Sequence, residues 1–151
     1  VKDIKLDEFD FHILDALKKD ARQTIAELST SLGMPRATVH ERIMRMKKAG
    51  VIKRFTIDQD YSLTGLPTMS FVLASYAPVS RTDQHESAKL VGKIPGVLGV
   101  YIISGEWDLL IKVRGQSIES IGTLILDRIR NIPGIAKTYT MACFEVVKDE
   151  S

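Results

Sequence analysis

Hydrophobic positions recur at helical spacing in three short stretches at the start of the chain, then give way to clustered β-branched runs. Across residues 7–19, Phe9, Ile13, Ala16 and Leu17 form one apolar stripe, and Asp7, Glu8 and Asp10 suit the positive end of a helix. Thr24 is placed to cap a second helix, and Glu27 three positions later completes a capping box. Its apolar set is Ile25, Leu28 and Leu32, and Gly33 is its stop. Pro35 fits the first position of a third helix, which runs on Val39, Ile43 and Met46 until Gly50. Residues 51–57 then read as a strand and residues 58–60 as a turn.

Residues 61–67, with Leu63-Thr64-Gly65-Leu66-Pro67, read as a linker between a domain over 1–60 and one over 68–151. The second domain contains an internal repeat. Ile94-Pro95-Gly96-Val97 followed by Tyr101 recurs as Ile132-Pro133-Gly134-Ile135 followed by Tyr139. The expected order is strand 69–77, helix 83–94, strand 97–104, strand 107–113, helix 117–131 and strand 135–147. That βαββαβ series predicts a ferredoxin-like α+β domain, an antiparallel sheet with both helices on one face. Strands 97–104 and 107–113 are apolar at nearly every position, whereas a sheet with one wet face alternates. A copy of the same chain is the simplest cover for the second face, so this half is expected to make a homodimer.

Composition narrows the classes. The chain has 151 residues, 44% of them apolar and 26% charged, which suits folded domains rather than disorder. No apolar run approaches the roughly 18 residues of a membrane span, and no charged-then-apolar leader opens the sequence, so no membrane partner is expected. The expected location is the cytoplasm, in association with the nucleoid. A single cysteine, Cys143, excludes an intrachain disulfide and disfavours zinc.

Charge is unevenly spread. Residues 36–54 hold seven bases and only one acid, Glu41, a plausible footprint for a polyanion. Two short helices joined by a glycine turn and preceded by a packing helix make a helix-turn-helix. With Val39, Ile43 and Met46 turned inward, the third helix presents Ala37, Thr38, Glu41, Met44, Arg45 and Lys48, with Arg36 and His40 on a flank. Small or hydrogen-bonding groups near its start can enter a major groove, and the cations beyond can neutralise phosphates. Lys53 and Arg54 follow like a wing. The bland alternative is a three-helix bundle with a wet outer face.

The Ser104-Gly105-Glu106-Trp107-Asp108 connection is either a tight hairpin turn or a small-ligand site. In the second case its amides would hold an anion, and Asp108 or Glu106 would accept from an ammonium group. His12, His40 and His85 lie on separate helices outside any catalytic motif, and neither a phosphate loop nor a metal motif is present, so no enzyme, cofactor or metal is expected.

Taken together, these residues resemble the Lrp/AsnC (leucine-responsive, feast/famine) regulators. The resemblance is carried by Leu6-Asp7, Asp10 and Ile13-Leu14, then Asp20-Ala21-Arg22, Glu27-Leu28, Leu32-Gly33 and Thr38-Val39-His40-Glu41-Arg42-Ile43. Gly50-Val51-Ile52, the 104–108 connection and Ile132-Pro133-Gly134-Ile135 complete it, so nearly the whole chain is covered. It implies a winged helix-turn-helix DNA-binding transcriptional regulator; the paired-sheet dimer, with one recognition helix per chain, is expected to bind a partly palindromic duplex operator. It also implies dimers assembling into larger oligomers such as an octamer, with an amino acid effector bound between dimers. The effector region would map to Gly105, Glu106, Trp107 and Asp108, with Thr138, Thr140 and Asp127. The family usually has a small acceptor before the proline that opens the recognition helix, where this chain has Met34, and commonly tyrosine in place of Trp107. A stand-alone amino-acid sensor or oligomerisation module without DNA binding is the competing reading.

Overall fold

The computed structural model describes residues 4–77 and 83–149, so the outer ends of both assigned domains and the connection at 78–82 lie outside the described residues. The chain divides into two compact units, Val1–Asp58 and Gln59–Ser151.

The first unit packs three helices, α1 (Glu8–Lys19), α2 (Ile25–Leu32) and α3 (Arg36–Lys48), around Ile13, Leu28, Met34, Val39, Ile43 and Met46. Capping boxes start α1 and α2. Asp7 accepts from the Asp10 N–H while Asp10 answers to the Asp7 N–H, and Thr24 pairs with Glu27 in the same way. Gly33 ends α2 in the left-handed conformation at φ 63°, which a residue with a Cβ adopts only at a cost. Pro35 is the N-cap of α3 rather than its first helical residue, and no side chain caps that end. Met34 is instead buried in the core, and the Ser29 hydroxyl donates to its carbonyl at 2.5 Å.

Two expectations fail here. Phe9, expected on the apolar stripe of α1, is 49% exposed, whereas Asp10 is fully buried. Residues 51–57 form no strand: the chain bends at Val51–Ile52 and continues without regular structure, with no ladder partner to pair its backbone. Lys53 and Arg54 are therefore exposed on an unpaired segment.

The second unit is a four-stranded antiparallel sheet in the order β2-β3-β1-β4, from β1 (Thr68–Tyr76), β2 (Val97–Ile102), β3 (Leu109–Gly115) and β4 (Ile135–Cys143). Helices α4 (Gln84–Val91) and α5 (Ile118–Asp127), with a 3-10 turn at Ile129–Asn131, cover one face. Val72, Ala74, Leu109, Ile111 and Val113 meet Val91, Ile121, Ile125 and Ile129 there. The repeat is structural. Gly96 and Gly134 share positive φ values of 92° and 89°, and each carbonyl accepts a 2.8 Å bond from the neighbouring strand, at Arg114 N–H and Ala77 N–H respectively.

β4 ends at Cys143 rather than continuing to 147, because Cys143 pairs with Met69 and only Thr68 of β1 lies beyond it. On the face away from the helices, Tyr101, Tyr139 and Met141 are exposed, yet Lys112 is only 7% exposed. Asp149 of the same chain pairs with Lys112, so the C-terminal segment covers part of a face expected to await a second copy.

Candidate nucleic-acid interface and effector region

The third helix sorts its residues by periodicity. Val39, Ile43 and Met46 point into the core, while Arg36, Ala37, His40, Glu41, Met44, Arg45, Lys47 and Lys48 are exposed and Thr38 is half-buried. The anticipated reading residues thus share an accessible side of one helix that follows a tight αL turn. Arg45, Lys47 and Lys48 occupy its last turn, where cations also suit the helix dipole.

The cations are not equivalent. Arg42 Nη1 donates to Asp7 Oδ1 at 2.7 Å, to Asp7 Oδ2 at 2.8 Å and to Asp10 Oδ1 at 2.9 Å. Arg45 Nη2 donates to Asp10 Oδ2 at 2.5 Å. Asp10 can be buried as an ion only because two guanidinium groups and the Asp7 N–H satisfy its oxygens. This explains the inverted burial of α1, and Phe9 covers the Arg42 guanidinium at 5.5 Å. The Arg42 hydrogen bond, helped by the Asp10 N–H, holds the Asp7 carboxyl below the usual carboxylate range. Asp7 and then Asp10 push Arg42 upward in turn. Two of the seven bases in residues 36–54 are therefore neutralised within the fold. Lys47 lies over the Phe55 ring at 5.6 Å, while Lys48, Lys53 and Arg54 make no ion pair among the described residues.

Sequence reasoning missed Asp7, Asp10 and Arg42. The signal was present, since Asp7 and Asp10 have the spacing of a capping box and Arg42 and Arg45, three apart, share a face of α3.

The effector region is less unified within one chain. Gly105, at φ 123°, and Glu106 lie exposed in the turn, with open space where a Gly105 Cβ would be. Asp108 is engaged: its Oδ2 accepts from the Tyr76 N–H at 2.7 Å, and its backbone bonds Ile103 and Ala74. Trp107 tilts against Tyr139, ring centroids 6.2 Å apart. Thr138 and Thr140 pair with Ala74 and Val72, so they lie on the helix side of the sheet, whereas Tyr139 pairs with Leu73 on the other. Asp127 rims a separate depression of about 300 Å³ with Pro95, Ser120, Thr123 and Arg128. The structure joins Trp107 to Tyr139, a residue the sequence marked only through its repeat position, and among the described residues no hydrogen bond links either threonine or Asp127 to the turn. Among the described residues, no cluster of His, Cys, Asp or Glu could hold a metal, and no helix is long and apolar enough to cross a membrane.

Comparison with known proteins adds independent findings. Residues 6–53 match a winged helix-turn-helix DNA-binding family model, and residues 69–151 match the Lrp/AsnC ligand binding domain. An HTH-type transcriptional regulator of Pyrococcus abyssi is 47% identical over 96% of this chain and 97% of its own length. The HTH-type transcriptional regulator LysM of Saccharolobus solfataricus is 38% identical over 88% of this chain and 89% of its own. The solved structure of E. coli AsnC superposes with a TM-score of 0.84 at 27% identity, covering 97% of both chains.

Proposed function

Because this chain belongs to the Lrp/AsnC family of DNA-binding transcriptional regulators, not enzymes, we propose that it reads a partly palindromic operator through α3 and responds to an amino acid. The observation that carries the reading is the exposed side of α3. Ala37 and Thr38 are small enough to approach base edges, Arg36, His40, Glu41 and Arg45 can hydrogen-bond to them, and Lys48, Lys53 and Arg54 can meet phosphates. One such helix per chain, doubled about a two-fold axis, would engage two half-sites a whole number of helical turns apart. Footprinting on a duplex selected from a random library tests this. Two protected half-sites at that spacing are expected, and a single half-site protected by a monomer contradicts it.

The effector side of the proposal rests on the family's ligand-binding domain and on the chemistry of the turn. Exposed amides at Gly105 would hold an α-carboxylate. Glu106, the free oxygen of Asp108 or Asp127 would accept from the ammonium group, and Thr138 and Thr140 would satisfy remaining polar atoms. These residues are dispersed in one chain, which favours a site completed between neighbouring dimers in a larger oligomer such as an octamer. Binding there would stabilise that oligomer by linkage. Calorimetry against the twenty amino acids, with sedimentation of free and bound protein, checks both parts. No heat at millimolar concentration would exclude an amino acid effector while leaving the DNA reading intact. Operation in the cytoplasm, on the nucleoid, is part of the same proposal.

A further inference from the structure

The buried Asp10 is the feature of the first unit that core packing does not explain. A fully buried carboxylate beside Ile13 is costly unless its partners require it, and replacing a buried ion pair by apolar groups is often neutral or stabilising. Its partners are informative. Oδ1 faces Arg42, and Oδ2 faces Arg45 while also accepting from the Asp7 N–H at the start of α1, and both arginines come from α3, the helix assigned to DNA reading. Arg42 is mostly covered, but the Arg45 side chain remains 46% exposed on the outward side of α3 with only Nη2 held by Asp10. A long, rotamer-rich side chain is thereby fixed at one nitrogen while the rest of its planar fork stays available. Bidentate recognition of a base edge needs that kind of orientation, and a phosphate contact does not.

We propose that Asp10 is a positioning residue for sequence reading, holding the Arg45 guanidinium of α3 in the orientation that contacts a base edge. Asp7 supports it by holding Arg42, which fills the other carboxylate oxygen of Asp10. The inference rests on α3 being the reading helix and adds a residue on α1 that touches no DNA.

The test compares affinities of the full chain for its library-selected duplex and for random duplex across a salt series. Asp10→Asn keeps the shape but removes the charge. It should lower the ratio of selected to random affinity by about ten-fold, the scale of one lost base-edge pair. Random affinity should hold or rise as Arg45 is freed for phosphates, with a salt slope no shallower than wild type. A residue that merely supports the fold would move both affinities by one factor and leave the ratio unchanged. Arg45→Ala should produce the same loss of ratio, and adding Asp10→Asn to it should produce no further loss. Arg45→Lys, which keeps the charge without the fork, decides the matter if Asp10→Asn does not fold, and it should also lose the ratio. An unchanged ratio in folded Asp10→Asn or in Arg45→Lys overturns the inference, as does a further loss when Asp10→Asn is added to Arg45→Ala. A wild-type chain without any duplex preference would overturn the reading of α3 itself and this inference with it.

Discussion

The carboxylate of Asp108 accepts a hydrogen bond from the backbone N–H of Tyr76 at 2.7 Å, across 32 positions of sequence. It ties the β2–β3 connection to the end of β1. A residue that looks like a ligand acceptor in the sequence therefore has a structural duty in the free chain. Asp108→Ala should lower the unfolding free energy by about 1–3 kcal/mol by leaving that N–H without its partner. Asp108→Asn, which keeps an acceptor oxygen, should cost less. Urea denaturation distinguishes the two, and equal losses would mean that the hydrogen bond contributes little.

The repeated Pro-Gly turns make a sharper contrast with the solvent-exposed turn. An alanine at Gly134 would suffer positive φ and would also collide with the Tyr76 ring and crowd Ser87 Oγ at 3.2 Å. At Gly105 the φ is also positive, but nothing lies within 4 Å of the added Cβ. Gly105→Ala should cost about 1–2 kcal/mol from the backbone alone, and Gly134→Ala about 1–3 kcal/mol more through overpacking. Thermal unfolding of the two variants ranks them, and a reversed order would contradict the packing described for Gly134.

Acid sensitivity should enter through the helix caps. Hydrogen bonds from the Thr24 backbone N–H and hydroxyl hold the Glu27 carboxyl below its ordinary 4.5. The Glu86 N–H lowers Asp83 below 3.8, and Glu119 is lowered mainly by Ser117. A carboxyl depressed on folding stabilises fully above its unfolded value, and that contribution disappears as pH falls through the folded one. The urea midpoint should therefore be insensitive to these groups above about pH 5 and decline below about pH 4. Glu27→Gln should show a shallower decline, and Thr24→Ala should lose about 1 kcal/mol at neutral pH. An acid limb as steep in Glu27→Gln as in wild type would remove Glu27 from this account.

Much of this architecture was legible because it depends on local rules. Thr24 with Glu27, Gly33, and the Ile-Pro-Gly repeat each dictate a cap or turn that needs no distant partner, and the structure has all of them. The errors fall where distant residues intervene. Phe9 and Asp10 exchange places because Arg42 and Arg45, more than thirty positions away, turn a polar position inward. Residues 51–57 have strand-like composition, but a strand requires a paired neighbour, and their sequence could not supply one. The exposed residues of α3 follow from helical period alone. The proposed effector residues follow from no such rule: strand alternation puts Thr138 and Thr140 on the helix side of the sheet, whereas Trp107 meets Tyr139 on the other.

The division between neutralised and free cations in the first unit predicts how DNA affinity responds to salt. Lys48 and Lys53 are exposed and make no ion pair among the described residues, so on a duplex each can displace a counterion from a phosphate. Lys48→Ala or Lys53→Ala should weaken binding to selected and random duplexes by similar factors. Each should also reduce the slope of log affinity against log salt by about one. Thr38 sits half-buried near the start of α3, where a side chain approaches base edges, and it carries no charge. Thr38→Ala should leave the slope unchanged and narrow the gap between selected and random duplexes by about 1 kcal/mol. Titrations of both duplexes at several salt concentrations measure slope and gap together. A reduced slope in Thr38→Ala would move that residue to the phosphates, and unchanged slopes in both lysine variants would place the DNA on another surface of the first unit.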